Sequence, residues 1–208
     1  MSVDFIGILS GGAAVFATFF AFELTDRTNF GVIGLAGKHD PRWVWTGAAM
    51  AFVVSTAIAI AIALTTETFF GGYLDYLKIA GGVVLVAFGL RTLLHQEEAV
   101  AKNAERSIEK ADSRDSGLQS AFLLILFLEM GDNTQFLTIE FVWNGLASWQ
   151  VIFLSASLAL VSVAAIGASG GRYLKTKLSP ERLETVMGSA LVITGIATIV
   201  LAGLSLVA

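Results

Sequence analysis

Six stretches of this chain are apolar over the length needed to cross a lipid bilayer. They run 10–36, 43–64, 73–94, 118–141, 149–171 and 183–206. About 20 such residues make a spanning helix, so each is predicted as one. The chain is 55% apolar and 14% charged, with a mean hydropathy of +0.76. A soluble domain of 208 residues cannot hide that much apolar side chain, so lipid must cover part of it. Asp40-Pro41 and Ser179-Pro180 each pair a capping residue with a proline suited to the first helical turn, and they open the second and sixth stretches. The expectation is an all-α membrane protein with little water-exposed mass.

Two of the stretches carry acids at their centres. Glu23-Leu24-Thr25-Asp26-Arg27-Thr28-Asn29-Phe30 and Glu129-Met130-Gly131-Asp132-Asn133-Thr134-Gln135-Phe136 repeat one pattern. A carboxylate at bilayer depth costs about 2.5–3.5 kcal/mol on insertion scales, which makes each a functional candidate.

The repeat extends beyond the motif. Glu129, Asp132, Thr134 and Phe136 stand 106 residues after Glu23, Asp26, Thr28 and Phe30, and the same offset links Trp149 to Trp43, Gly188 to Gly82 and Gly195 to Gly89. Seven identities at one offset point to an internal duplication. Residues 1–94 form the first half, 95–117 a charged linker and 118–208 the second half. Three crossings per half is an odd number, so the halves enter the membrane from opposite sides. The predicted fold is six transmembrane helices as two inverted three-helix repeats, the plan of many secondary transporters with a site at the midplane.

Charge orients the chain. The 1–2, 3–4 and 5–6 connections hold eleven of the 13 Lys and Arg residues. The opposite side holds Lys78, and Arg27 lies in the first motif. The positive-inside rule therefore places 95–117 in the cytoplasm and both termini outside, with the cytoplasmic membrane as the expected location.

Several chemistries are excluded or disfavoured. There is no cysteine, and His39 and His95 lie outside the apolar stretches. A metal bound in the spans would be held by oxygen. No phosphate-binding glycine loop is present, no feature suggests nucleic-acid binding, and the N-terminus lacks the basic region of a removable signal peptide. The linker mixes acidic and basic residues and reads as a solvated helical connection.

Residues three apart share a helix face. Glu23 and Asp26 therefore point together, as do Glu129 and Asp132, and inversion can bring the two faces to one place. Four carboxylates suit a hard divalent cation. Asn29 and Gln135 offer carbonyl oxygens on nearly the same side. Thr28 and Thr134 face away in a regular helix and become ligands only if the helix is distorted, which Gly131 makes easy in the second copy. Thr56 and Ser162, also 106 apart, are candidate hydroxyl ligands, although such residues more often bond their own backbone. The bland reading is structural ion pairing, with Arg27 as the ready partner. It weakens at the second copy, where Asn133 replaces the base. Four carboxylates in a dry site cannot all stay ionised without a cation, so some hold protons and a cation displaces them. Competition of that kind at a site open to each side in turn is cation/proton exchange.

At these residues the chain resembles the Gdt family of Ca²⁺/Mn²⁺–proton exchangers (also called uncharacterised protein family sixteen), of the lysine-exporter superfamily. Its members carry two Glu-x-Gly-Asp-(Lys/Arg)-(Thr/Ser)-Gln motifs, in the first and fourth spans. Glu129-Met130-Gly131-Asp132 with Thr134-Gln135 is a close match, and Glu23, Asp26, Arg27 and Thr28 match the first copy. Thr25, Asn29 and Asn133 depart from the pattern. The resemblance implies export of Mn²⁺ or Ca²⁺ from the cytoplasm against proton entry. It implies no prosthetic group and no enzymatic activity. The partners are then the divalent ion, protons and the lipid bilayer. Export of another solute, such as an amino acid, is one rival. A Mg²⁺-dependent intramembrane enzyme is another, and a non-transporting assembly protein a third.

Overall fold

The computed structural model describes residues 5–94, 117–177 and 180–207, leaving side chains undescribed at Thr25, Arg27 and much of 171–190. The linker, Ser179 and the role of Arg27 as an ion-pair partner therefore lie outside the described residues. All regular structure in the described residues is helical. The helices are α1 (Phe5–Thr25), α2 (Arg27–Ala36), α3 (Pro41–Phe70), α4 (Leu74–Leu94), α5 (Gly117–Glu129), α6 (Asn133–Trp143), α7 (Trp149–Lys177) and α8 (Pro180–Val207), with a 3-10 turn at Gly71–Tyr73.

Three helical stretches among the described residues are apolar and long enough to cross a membrane, at Gly7–Leu24, Pro41–Leu94 and Trp149–Gly170. A fourth arises if α5 and α6, bent by 61° from one another, count as one span. The 54-residue stretch Pro41–Leu94 contains both α3 and α4. The signal that opens the second stretch reads as expected: Asp40 Oδ1 accepts from Arg42 N at 2.9 Å, and Pro41 is the first residue of α3.

The interior holds acids and hydroxyls among its apolar side chains. Glu23, Thr28, Glu129, Asp132, Thr134 and Glu140 are all buried, while Phe127, Leu154 and Ile193 are more than 60% exposed. Water would penalise that exposed surface and lipid would not. Around the buried polar groups, Phe19, Phe52, Ile125, Leu137, Ile152 and Leu160 belong to one apolar cluster. α3 packs on α5, α6 and α7; α1 and α2 pack on α7; α2 also meets α5.

The most extensive contact joins α4 to α8. Glycine permits it. A Cβ on Gly82 would lie 2.8 Å from the Gly195 carbonyl oxygen, and one on Gly89 would lie 2.6 Å from that of Gly188. The 106-residue offset turns one of these contacts into the other. Helices lacking a hydrophobic driving force between them associate through such close backbone approach.

Two predicted spans differ from the expectation of continuous helices. Both motif-bearing segments are broken at the acids, and the break builds the site.

Candidate functional site

In the first copy α1 ends at Thr25, and Asp26 takes an extended backbone (φ −73°, ψ 156°) as the N-cap of α2. Its Oδ2 accepts from Thr28 N at 3.0 Å and from the Thr28 hydroxyl at 2.9 Å. An aspartate that bonds the backbone two residues on competes directly with the helical pattern. In the second copy α5 ends at Glu129, Gly131 turns with φ +76°, and Asp132 (φ −85°, ψ 171°) is the N-cap of α6. Equivalent backbone bonds close the two turns, Asp26 N to Glu23 O and Asp132 N to Glu129 O, both 3.2 Å. Thr25 stands where the second copy has Gly131. A β-branched residue resists positive φ, so the first break is confined to Asp26, whereas the second spans Met130, Gly131 and Asp132.

Replacing Gly131 by Ala tests the turn. Nothing lies within 4 Å of a Cβ there, so the whole effect is backbone strain. The expected loss is about 1–2 kcal/mol of stability, read as a lower unfolding temperature in detergent. An unchanged midpoint would show that the left-handed turn is dispensable.

The breaks reorient the side chains around them. Thr134 donates to Glu129 Oε2 at 2.9 Å, so it turns inward rather than away. Thr28 of the first copy also interacts with Glu129, which links the two motifs directly. Glu23 interacts electrostatically with Glu129, Asp26 and Asp132, and Glu129 with Asp132 and Asp26. Both carboxyl oxygens of Glu23 and Oε1 of Glu129 are buried with no hydrogen-bond partner. The first of these acids is fully enclosed and the second 1% exposed. Buried acceptors left open in this way call for a ligand, a proton or an ion. The N-termini of α2 and α6 lie at the same breaks, where their dipoles favour the carboxylates.

The amides behave differently from the expectation of simple ligands. Gln135 Oε1 accepts from Gly131 N at 2.8 Å, and Asn29 Nδ2 donates to Leu24 O at 3.0 Å. Each ties its half-helix back across the break. Asn29 Oδ1 is left without a partner, against Gly167 of α7. Of the hydroxyl pair, Thr56 lines a narrow cleft with Ser55, Glu129, Thr134, Gln135 and Thr138, although its hydroxyl donates to Phe52 O at 2.8 Å. Ser162 is not among the cleft residues and bonds Leu158 O at 2.6 Å. Among the described residues, no three acids or imidazoles close on one point as a ready metal shell.

Several polar residues of the interior escape the repeat, Ser55 and Glu140 among them. Ser55 joins the cleft, but position 161, its equivalent at the 106-residue offset, is valine. Glu140 is 1% exposed, but the equivalent position is Gly34. The cost of an acid inside the fourth apolar stretch is the signal that identifies Glu140.

Buried, partly unsatisfied acids at paired breaks in apolar helices define an ion-handling membrane protein. The family model described as "Divalent cation/proton antiporter GDT1" matches residues 12–100 and 117–204. The chain belongs to this family, which is one of transporters and not of enzymes. It is 30% identical to the Arabidopsis thaliana "Protein PAM71, chloroplastic" over 89% of this chain and 55% of that protein. It is 28% identical to a "GDT1-like protein 1, chloroplastic" of Oryza sativa subsp. japonica, over 89% of this chain and 60% of the relative. It is also 26% identical to the Synechocystis "GDT1-like protein sll0615", over 81% and 86%. The chain thus spans little more than half the length of the two chloroplast relatives. No solved structure matches.

Proposed function

We propose that this chain exchanges a divalent cation, Mn²⁺ or Ca²⁺, for protons, and that Glu23, Asp26, Glu129 and Asp132 are the shared ligands of ion and proton. The observation that carries the reading is the electrostatic contact of the two acidic motifs around buried oxygens that lack partners. Thr28 donates to Asp26 Oδ2 and Thr134 to Glu129 Oε2, so each motif has a hydroxyl on one of its carboxylates. Asn29 and Gln135 act by bracing the breaks.

With no cation bound, protons neutralise part of the cluster. An arriving divalent ion favours the carboxylates and releases those protons, so either species excludes the other. The cleft beside Glu129 is too narrow to admit water. Six crossings follow if α1–α2 and α5–α6 are each one broken span. The reciprocal Gly82–Gly195 and Gly89–Gly188 contacts support a duplication, because exchanging the halves at the 106-residue offset turns one contact into the other. So does the family match, which falls in two segments of nearly equal length. The exposed Lys38, Arg42 and Arg91 support a cytoplasmic face at the 1–2 and 3–4 connections. Export across the cytoplasmic membrane is the direction we assign.

Reconstitution into liposomes tests the exchange. An inward Mn²⁺ or Ca²⁺ gradient is expected to drive protons out and make the lumen alkaline, read by an internal pH dye. The rank of Mn²⁺, Ca²⁺ and Mg²⁺ in that assay gives the selectivity. A lumen whose pH ignores every ion would rule the proposal out.

A further inference from the structure

Glu140 lies outside the repeated motifs and has no part in the exchange described above. It sits in the last turn of α6, where the helix dipole opposes a negative charge, so it does not serve the helix. Its Oε2 accepts from Asn144 Nδ2 at 3.0 Å, while Oε1 is buried without a hydrogen-bond partner. That oxygen lies against Gly81 of α4, in the space a Cβ would fill. Lys78, one turn before Gly81, is the cation that acts on Glu140, and it is paired with Asp75 at 3.7 Å. Glu23 of α1 and Glu67 of α3 are on other helices packed against α6, and neither acts on Glu140. From Trp149 to Gly170, α7 carries no charged residue.

The position of this contact matters. α4 and α8 form a tight pair, and α4 joins the rest of the molecule chiefly through α6. Among the described residues, the offset equivalent of that contact, α8 against α2, has no comparable packing. Glu140 and Gly81 are replaced there by Gly34 and Met187. The helix pair therefore leans to one side, and Glu140 marks the side it leans to. A neutral carboxyl fits the dry contact with one bond to Asn144. A carboxylate would leave a charged oxygen facing a helix backbone with no donor, an unfavourable state for a buried group.

We propose that Glu140 is a further proton-carrying residue of the antiporter, outside the cation cluster, and that its neutral form latches the α4–α8 pair against α6. Loss of the proton to water frees the carboxylate to turn toward Lys78, and the pair moves off α6. The latch is a two-state element biased by one proton, a physical means of tying proton release to a change in access. It rests on the exchange reading for its purpose but not for its existence.

The chain has no cysteine, so a pair placed at Phe88 and Phe136 can report the α4–α6 contact, where the two rings lie 5.7 Å apart. In the full chain carrying Phe88→Cys and Phe136→Cys, oxidative cross-linking is expected to fall severalfold as pH rises. Thiol chemistry alone would give the opposite trend, because thiolate increases with pH. Adding Glu140→Gln, a permanently neutral mimic, is expected to keep cross-linking high at every pH. Cross-linking that keeps its pH dependence with Gln at 140, or that shows none with Glu, overturns the latch.

A second measurement needs no cysteine. In liposomes Glu140→Gln is expected to slow cation-driven proton movement by about tenfold or more, with equilibrium Mn²⁺ binding retained and partial recovery in Glu140→Asp. Unchanged exchange in Glu140→Gln also overturns the latch, and loss of Mn²⁺ binding would make Glu140 a ligand instead. Wild-type protein that exchanges nothing counts against the antiport reading, and the cross-link then decides the latch.

Discussion

Cation-driven proton movement is expected to disappear when Glu23 and Glu129 are both replaced by Gln. Even outer partners of a metal site are worth about 10–100-fold in affinity, so losing two ionisable oxygen donors should cost at least that. The single variants are informative as well. Glu23 and Glu129 interact with each other and with both aspartates, so they behave as one cluster. Effects within such a cluster are not additive, and either Gln alone should come close to the loss seen with both. Stability should move the other way. Each substitution removes a carboxyl from a set of buried acids whose mutual repulsion opposes folding in the absence of ion. Protein without divalent cation should therefore unfold at an equal or higher temperature once Gln is present. The wild type alone should gain stability as Mn²⁺ or Ca²⁺ is added, by the usual linkage of ligand to the native state. Vigorous exchange by the doubly substituted protein would remove the carboxylate site from the mechanism.

The second large effect concerns packing. Gly82→Val or Gly195→Val should drive α4 and α8 apart. A Cβ on Gly82 would sit 2.8 Å from the Gly195 carbonyl oxygen, and a Cβ on Gly195 would sit 2.5 Å from that of Gly82. Neither obstacle is the end of a flexible side chain, so the backbones themselves must give. Overpacking typically costs about 1–3 kcal/mol, and the high end is expected here. The two substitutions share one contact, so together they should cost little more than one alone. Gly203→Ala is the control on the same helix: nothing lies within 4 Å of a Cβ there. It should be neutral or mildly stabilising. Thermal unfolding in detergent compares all four proteins. Equal midpoints for Gly82→Val and Gly203→Ala would show that the close crossing does not support the fold.

Much of this was legible in the chain. The apolar stretches and the expense of acids within them pointed to Glu23, Asp26, Glu129 and Asp132. The same expense applies to Glu140, but the constant offset that makes the motifs conspicuous also hides that residue, since Gly34 is its equivalent. Ser55 is missed for the same reason. Thr28 and Thr134 illustrate a different gap. Regular helical geometry turns them away from the acids, and only the breaks at Asp26 and Asp132 bring them back. Asn29 and Gln135 carry suitable ligand atoms, yet Gln135 Oε1 is engaged in bridging its break, while Asn29 bridges through its amide nitrogen and leaves Oδ1 open. Ser162 and Thr56 are equivalents at one offset, but one lies in the cleft and the other does not.

The sequence by itself determined the solvent this protein requires, the two acidic motifs it buries and the interval that separates them. These depend on composition and local order, and they hold for any arrangement of the helices. Only the tertiary structure decided that the motif helices break, that the two motifs come into contact, and that Glu140 faces Gly81 across a one-sided packing of α4 on α6. Those outcomes depend on which donor reaches a given oxygen first, a side chain or the helix's own backbone. That competition is settled by neighbours far away along the chain, and spacing does not record it.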